Sequence, residues 1–133
     1  KVKDVNRVAA EMAQTLALGI PVTVFLEGKA SPGAEVLPFR PSLLEVAVRQ
    51  QVRCVPVSVH LEAPHPSLPP SQTLAWWGDM AFLPHLLQLF SLKRVDATVT
   101  FGEPVAPGAD RKALAATLQE RVRSGFVPLR QKA

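Results

Sequence analysis

A single cysteine, Cys54, means that no internal disulfide can staple this 133-residue chain. Cys54 falls inside an apolar run, where a thiol behaves as a small inert hydrophobe and suits a reducing compartment. No stretch reaches the roughly 18 apolar residues of a membrane-spanning helix, and no signal-peptide pattern is present. Membrane contact is therefore expected to be peripheral, or to come through segments outside this chain. The three histidines, His60, His65 and His85, belong to no His/Cys/Asp group with metal-ligand spacing. There is no Gly-x-Ser-x-Gly and no phosphate loop. Ser31, His60 and Asp79 have the residue types of a triad, but nothing in the sequence places them together. Fifteen basic against eleven acidic side chains give +4. The excess lies in separate pairs, Lys93-Arg94, Arg111-Lys112 and Arg121 with Arg123, so it reads as a solvated surface or one attracted to anionic head groups. No basic cluster is interleaved with stacking aromatics, which argues against nucleic acid as a partner. Apolar residues make up 47%, too many for a disordered chain, and there is no internal repeat.

The stretch from Pro21 to His60 carries the strongest pattern. Val22 to Phe25 is a β-branched and aromatic run that suits a strand covered on both faces. It stops at Glu27-Gly28, a carboxylate before the residue that lets backbone approach a ligand closely. Pro32-Gly33 turns the chain. Pro41 fits the first turn of a helix, and Leu43, Leu44, Val46, Ala47 and Val48 are apolar enough to bury that helix against a sheet. Cys54 to Val59 reads as a second strand. The expectation is an α/β fold, a mostly parallel sheet with flanking helices, built on a βαβ unit at residues 21–60, with Glu27 and Gly28 at the ligand-binding end of its first strand.

Around this unit, Asp4 is the expected N-cap of a helix with Val5, Val8, Met12 and Leu16 at helical spacing, ended by Gly19 and packed on the sheet. A proline-dense loop spans 63–71. Trp76-Trp77-Gly78-Asp79 leads into a helix over about Met80 to Leu92, with Pro84 in its first turn. Phe82, Leu83, Leu86, Leu87, Leu89 and Phe90 cover most of its circumference, and His85, Gln88 and Ser91 form a narrow polar face. That arc exceeds the stripe one sheet contact needs, so an exposed apolar patch is expected. The tryptophans before it and Lys93-Arg94 after it are the flanks of an interfacial helix. Val95 to Phe101 alternates as an edge strand, Asp110 caps a last helix carrying Leu114, Leu118 and Val122, and the tail at 127–133 is expected to fray.

Several of these blocks resemble the glycerolipid acyltransferases, the lysophosphatidate acyltransferases and their relatives. Phe25-Leu-Glu-Gly-Lys-Ala-Ser31 looks like their third block, commonly Phe-Pro-Glu-Gly-Thr-Arg-Ser, with Leu26, Lys29 and Ala30 in place of Pro, Thr and Arg. Val55-Pro56-Val57 looks like the fourth, with Pro56 as its structural residue. Leu37-Pro-Phe-Arg40 and Ala75-Trp-Trp-Gly-Asp-Met80 resemble bacterial members, including lyso-ornithine-lipid acyltransferases. The catalytic His-x-x-x-x-Asp block is not found, since His60, His65 and His85 are followed five positions on by His65, Pro70 and Phe90. The resemblance implies that residues 1–126 are the carboxyl-terminal portion of an acyltransferase domain, inactive alone and without a catalytic residue of its own. It implies transfer of a fatty acyl group, with no cofactor, from acyl carrier protein (acyl-ACP) or acyl-CoA to a lysophospholipid or lyso-ornithine lipid, either peripherally at the cytoplasmic side of a membrane or in the cytoplasm. Glu27, Gly28, Lys29 and Ser31 become the acceptor- and phosphate-binding residues, Gly28 through its N–H and Lys29 through its charge. A non-catalytic lipid- or phosphate-binding module is the alternative.

Overall fold

Helix α1 spans Val2–Ala17 in the computed structural model, which describes residues 2–63 and 68–130. It ends where Gly19 takes φ +75°, a left-handed value that glycine reaches without Cβ strain. Asp4, the expected cap, lies inside its first turn. Pro41–Leu44 form a 3-10 turn with proline leading, and α2 follows over Glu45–Gln50. Next come strand β1 (Val57–Glu62), the short α3 (Pro70–Thr73), α4 (Phe82–Ser91), strand β2 (Asp96–Phe101) and α5 (Arg111–Ser124). The Asp110 side chain caps α5 as expected, its Oδ1 accepting from the Lys112 N–H at 2.8 Å. Of the proline-dense loop and the tail, residues 64–67 and 131–133 lie outside the described residues.

The sheet departs from the parallel βαβ unit. β1 pairs antiparallel with β2, Val57 opposite Phe101 and Glu62 opposite Asp96, and no third strand joins them among the described residues. A bridge between Cys54 and Val105 extends the ladder with N–H···O contacts of 2.9 and 2.8 Å. Pro56, buried, accepts from the Gly102 N–H at 2.8 Å. Val22 to Phe25 runs irregularly instead of forming a strand, and Phe25 is 82% exposed. β-branched residues favour extended backbone, but a ladder also needs a facing row of donors and acceptors, which a hydropathy pattern does not reveal. The helices follow the same correction. α1 lies against α2, where Gln50 donates to the Ala13 carbonyl at 3.4 Å. The turn ahead of α2 packs on α5, not on a sheet face: Leu44, Leu114, Ala115 and Leu118 make the buried core, with Leu26, Phe39, Val48, Cys54 and Val105 against it.

Directly opposed residues of an antiparallel pair share a face, so Val57, Val59, Val99 and Phe101 lie on one side and Ser58, His60, Thr98 and Thr100 on the other. The polar side is half-covered along β1, while Thr98 and Thr100 stay exposed. Ser58 Oγ donates to the Gly125 carbonyl at 3.0 Å, and His60 Nδ1 lies 3.1 Å from the Val127 carbonyl. The second of those contacts belongs to a tail that is tied down over 127–130 and not frayed: Leu129 N–H donates to Gly33 at 2.8 Å and Ser71 N–H to Arg130 at 3.2 Å. The apolar side is bare, with Phe101 71% exposed. α4 is turned the same way. Its expected polar residue His85 is buried at 7% exposure, whereas Phe82, Leu83, Leu87 and Phe90 face outward.

Candidate functional site

The Glu27–Gly28 turn is built by three backbone constraints. Gly28 sits at φ +64°, its N–H donates to the Phe25 carbonyl at 3.1 Å, and the Arg40 N–H donates to Leu26 at 2.8 Å. The last bond ties the turn to the segment that leads into α2. Leu37, in that segment, has both backbone groups held by side chains. Its N–H donates to Glu27 Oε2 at 3.0 Å, and its carbonyl accepts from Gln119 Nε2 of α5 at 3.2 Å. A half-buried loop without a ladder satisfies its polar groups this way.

These contacts frame a cavity of about 600 Å³. Glu27 and Lys29 form one wall, Leu37 to Ser42 the second, and Arg111 and Lys112 from the first turn of α5 the third. One basic pair and two single residues far apart in the chain thus converge: Lys29, Arg40, Arg111 and Lys112 line a cavity with one carboxylate, Glu27. Arg111 is engaged by Glu45, which Arg49 also holds at 2.8 Å. The Glu45 carboxyl is pulled below its ordinary value by its hydrogen bonds to Arg111 first and Arg49 second. Arg40 lies across the glycine turn; a Cβ placed on Gly28 would come within 2.7 Å of its Nε.

The expected site residues separate. Glu27 and Lys29 reach the cavity. Gly28 forms the turn, and its N–H donates to the Phe25 carbonyl. Ser31 caps a turn, its Oγ accepting from the Gly33 N–H at 3.3 Å, and does not line the cavity. Ser31 and His60 each bond elsewhere, so no triad with Asp79 forms. Burial alone pushes the Cys54 thiol up. Sequence reading missed Arg40, Arg111 and Lys112. Arg40 was visible in its Leu-Pro-Phe-Arg block, but Arg111-Lys112 looked like one more dispersed basic pair, because only the packing of α5 on Leu44 brings it to residue 29. Both tryptophans act as loop anchors: Trp76 Nε1 donates to Met80 O at 2.7 Å and Trp77 Nε1 to Ser71 O at 3.0 Å.

A family model described as Acyltransferase matches residues 1–60, which include the whole turn and two of the three walls of the cavity. The lyso-ornithine lipid O-acyltransferase of Brucella abortus is 35% identical over 127 residues, covering 86% of this chain and 48% of the relative. The enzyme of the same name from Rhodobacter capsulatus is 35% identical over 109 residues, covering 77% of this chain and 39% of the relative. The chain thus spans less than half the length of these relatives. No solved structure matches it significantly. The match over the Glu27–Arg40 walls, and the similarity that runs on through most of the chain, place it in the acyltransferase family, in the subgroup resembling lyso-ornithine lipid acyltransferases.

Proposed function

We propose that these 133 residues form the acceptor-binding part of an enzyme that moves a fatty acyl group from an acyl-ACP or acyl-CoA thioester to the hydroxyl of a lyso-ornithine lipid or lysophospholipid. The observation that supports this most is the 35% identity, over 127 residues, to a protein named for that transfer. In such a transfer the acceptor oxygen attacks the thioester carbonyl, a base takes the hydroxyl proton, and the thiolate leaves. No histidine here has the His-x-x-x-x-Asp spacing, so the work left to this chain is binding and orientation. Glu27 keeps one oxygen on Leu37 and offers the other to an acceptor hydroxyl or ammonium group. Lys29 supplies charge at the same wall. The outward apolar side of α4, beside Lys93, supports peripheral contact with an anionic membrane.

The test incubates acyl-ACP or acyl-CoA and each lysolipid with the native polypeptide carrying these residues, and separately with the 133-residue chain. The native polypeptide should release thiol with lyso-ornithine lipid. The chain alone should fall to background, since loss of a general base removes about 10²–10⁴-fold in rate. Turnover by the chain alone would reveal a base among its own residues. A second reading, a non-catalytic lipid-binding module, is supported by the cavity's combination of basic and apolar lining. It predicts lysolipid binding by the native polypeptide with no thiol release at all.

A further inference from the structure

We propose that the cavity is an oxyanion-binding subsite in which Arg40 is the directing arm and Lys112, presented by α5, is the second. Three of its four cations, Lys29, Arg40 and Lys112, have no hydrogen bond or ion pair from their charged ends to any described residue, and the fourth, Arg111, is tied to Glu45. Cations gathered around one cavity repel each other, and an anion between them removes that cost. The arrangement is also directed. Arg40 lies along Gly28, and this contact exists only because position 28 has no Cβ. A guanidinium seated on a backbone turn is preorganised to bind an oxyanion with two parallel N–H bonds. Lys112 is fixed from two sides: its own N–H is capped by Asp110, and its neighbour Arg111 is held by Glu45. Its side chain therefore starts from a fixed point on a cavity whose other two walls come from residues 27–42. The apolar part of the lining, Leu37, Pro38 and Phe39, gives a stem attached to that oxyanion a dry surface.

The ligand class is an amphiphile with a carboxylate or phosphate head group. The free oxygen of Glu27 adds a place for an ammonium group on the same head. This deepens the proposed function and rests on it for the lipid nature of the ligand, while the anion site itself stands on the cavity alone.

The experiment titrates the 133-residue chain with N-acetylornithine, which carries a carboxylate and an ammonium, and with glycerol 3-phosphate, following side-chain nitrogen resonances of Arg and Lys by NMR at low salt. Saturable shifts are expected at Arg40 and Lys112. Arg40→Gln should weaken binding about tenfold, Arg40→Lys should recover part of it without the two-bond geometry, and Lys112→Gln should weaken it by a smaller factor. Arg121→Gln, outside the cavity on the exposed side of α5, should change nothing. Tighter N-acetylornithine assigns the head group as an amino acid, and tighter glycerol 3-phosphate assigns it as a phosphate ester. Absence of saturable shifts with both probes, or an equal loss in Arg121→Gln, overturns the site. Because the readout needs no turnover, binding here with no thiol release by the native polypeptide would instead overturn the acyl-transfer reading and leave the subsite standing.

Discussion

Helices α4 and α5 are both sided, yet they are turned in opposite directions. α5 buries Leu114, Ala115 and Leu118 and shows its charges to water. α4 buries His85, whose Nε2, like Gln88 Nε2, meets no hydrogen-bonding group among the described residues, and it holds Phe90 at 75% exposure. Orphaned buried polar atoms and bare aromatics on one helix are both unfavourable in water. The sheet repeats the inversion, with Ser58 and His60 half-covered and Phe101 bare. The α5 side therefore contains its own partner, whereas the α4 and sheet side carries an apolar surface that nothing within the described residues covers. The cavity belongs to the first side. Its walls are held by the same core that holds α5, and of its cations Arg111 is tied to Glu45.

The sharpest way to break this contrast is to truncate one leucine on each side. Leu118→Ala should lower the melting temperature by roughly 10 °C, since such core truncations cost about 2–5 kcal/mol. Leu87→Ala, on the bare side of α4, should move it by no more than about 2 °C. Calorimetry checks both, and equal losses would mean that α4 is packed as α5 is. A smaller effect concerns what the bare side meets. The chain should bind anionic vesicles at low ionic strength and release them as salt rises. Lys93→Glu should weaken that binding about tenfold and Leu87→Asp by a similar factor. Arg94→Glu should do less, because Arg94 is already paired with Asp96 at 2.9 Å. Vesicle co-sedimentation with no dependence on salt or on these positions would assign the surface to another partner.

Much of this layout was legible in the sequence, and the remainder fails for one kind of reason. Gly19 ending a helix, Pro41 opening a turn, Asp110 as a cap and the alternation of Val95 to Phe101 are signals written within a few residues, and the structure carries all of them. The exposed apolar patch on α4 was likewise readable from an arc of leucine and phenylalanine too wide for one contact. Which strand pairs with which was not readable. Val22 to Phe25 has strand chemistry but no ladder, because pairing depends on a neighbour distant in the chain. The same holds for the inward turn of His85. In the site, the resemblance to the acyltransferase third block pointed to Glu27 and Lys29, and both line the cavity. Arg111 and Lys112 were not, because their approach depends on Leu44, Leu114 and Leu118 packing together.

The smallest expected effect lies at the tie between the two ends of the chain. A carboxyl whose folded value is lowered adds stability above its ordinary range, and that stability is lost as pH falls through the lowered value. Glu45, lowered by Arg111 and then Arg49, should therefore contribute to the acid limb of thermal stability. Glu45→Gln should flatten that limb slightly below about pH 5. An unchanged limb would show that Lys112 is placed by the core alone.

The central claim is that the Glu27 turn serves an acceptor and not merely the loop that it anchors. Glu27→Gln in the native polypeptide separates the two, because the amide oxygen can still accept from the Leu37 N–H while the negative charge is gone. Acyl transfer to lyso-ornithine lipid, measured as thiol release beside a melting curve, should fall at least about tenfold with the melting temperature unchanged within about 2 °C. Full activity with an intact fold, or a collapse in melting temperature with the surviving folded enzyme fully active, would contradict the account and return Glu27 to structure.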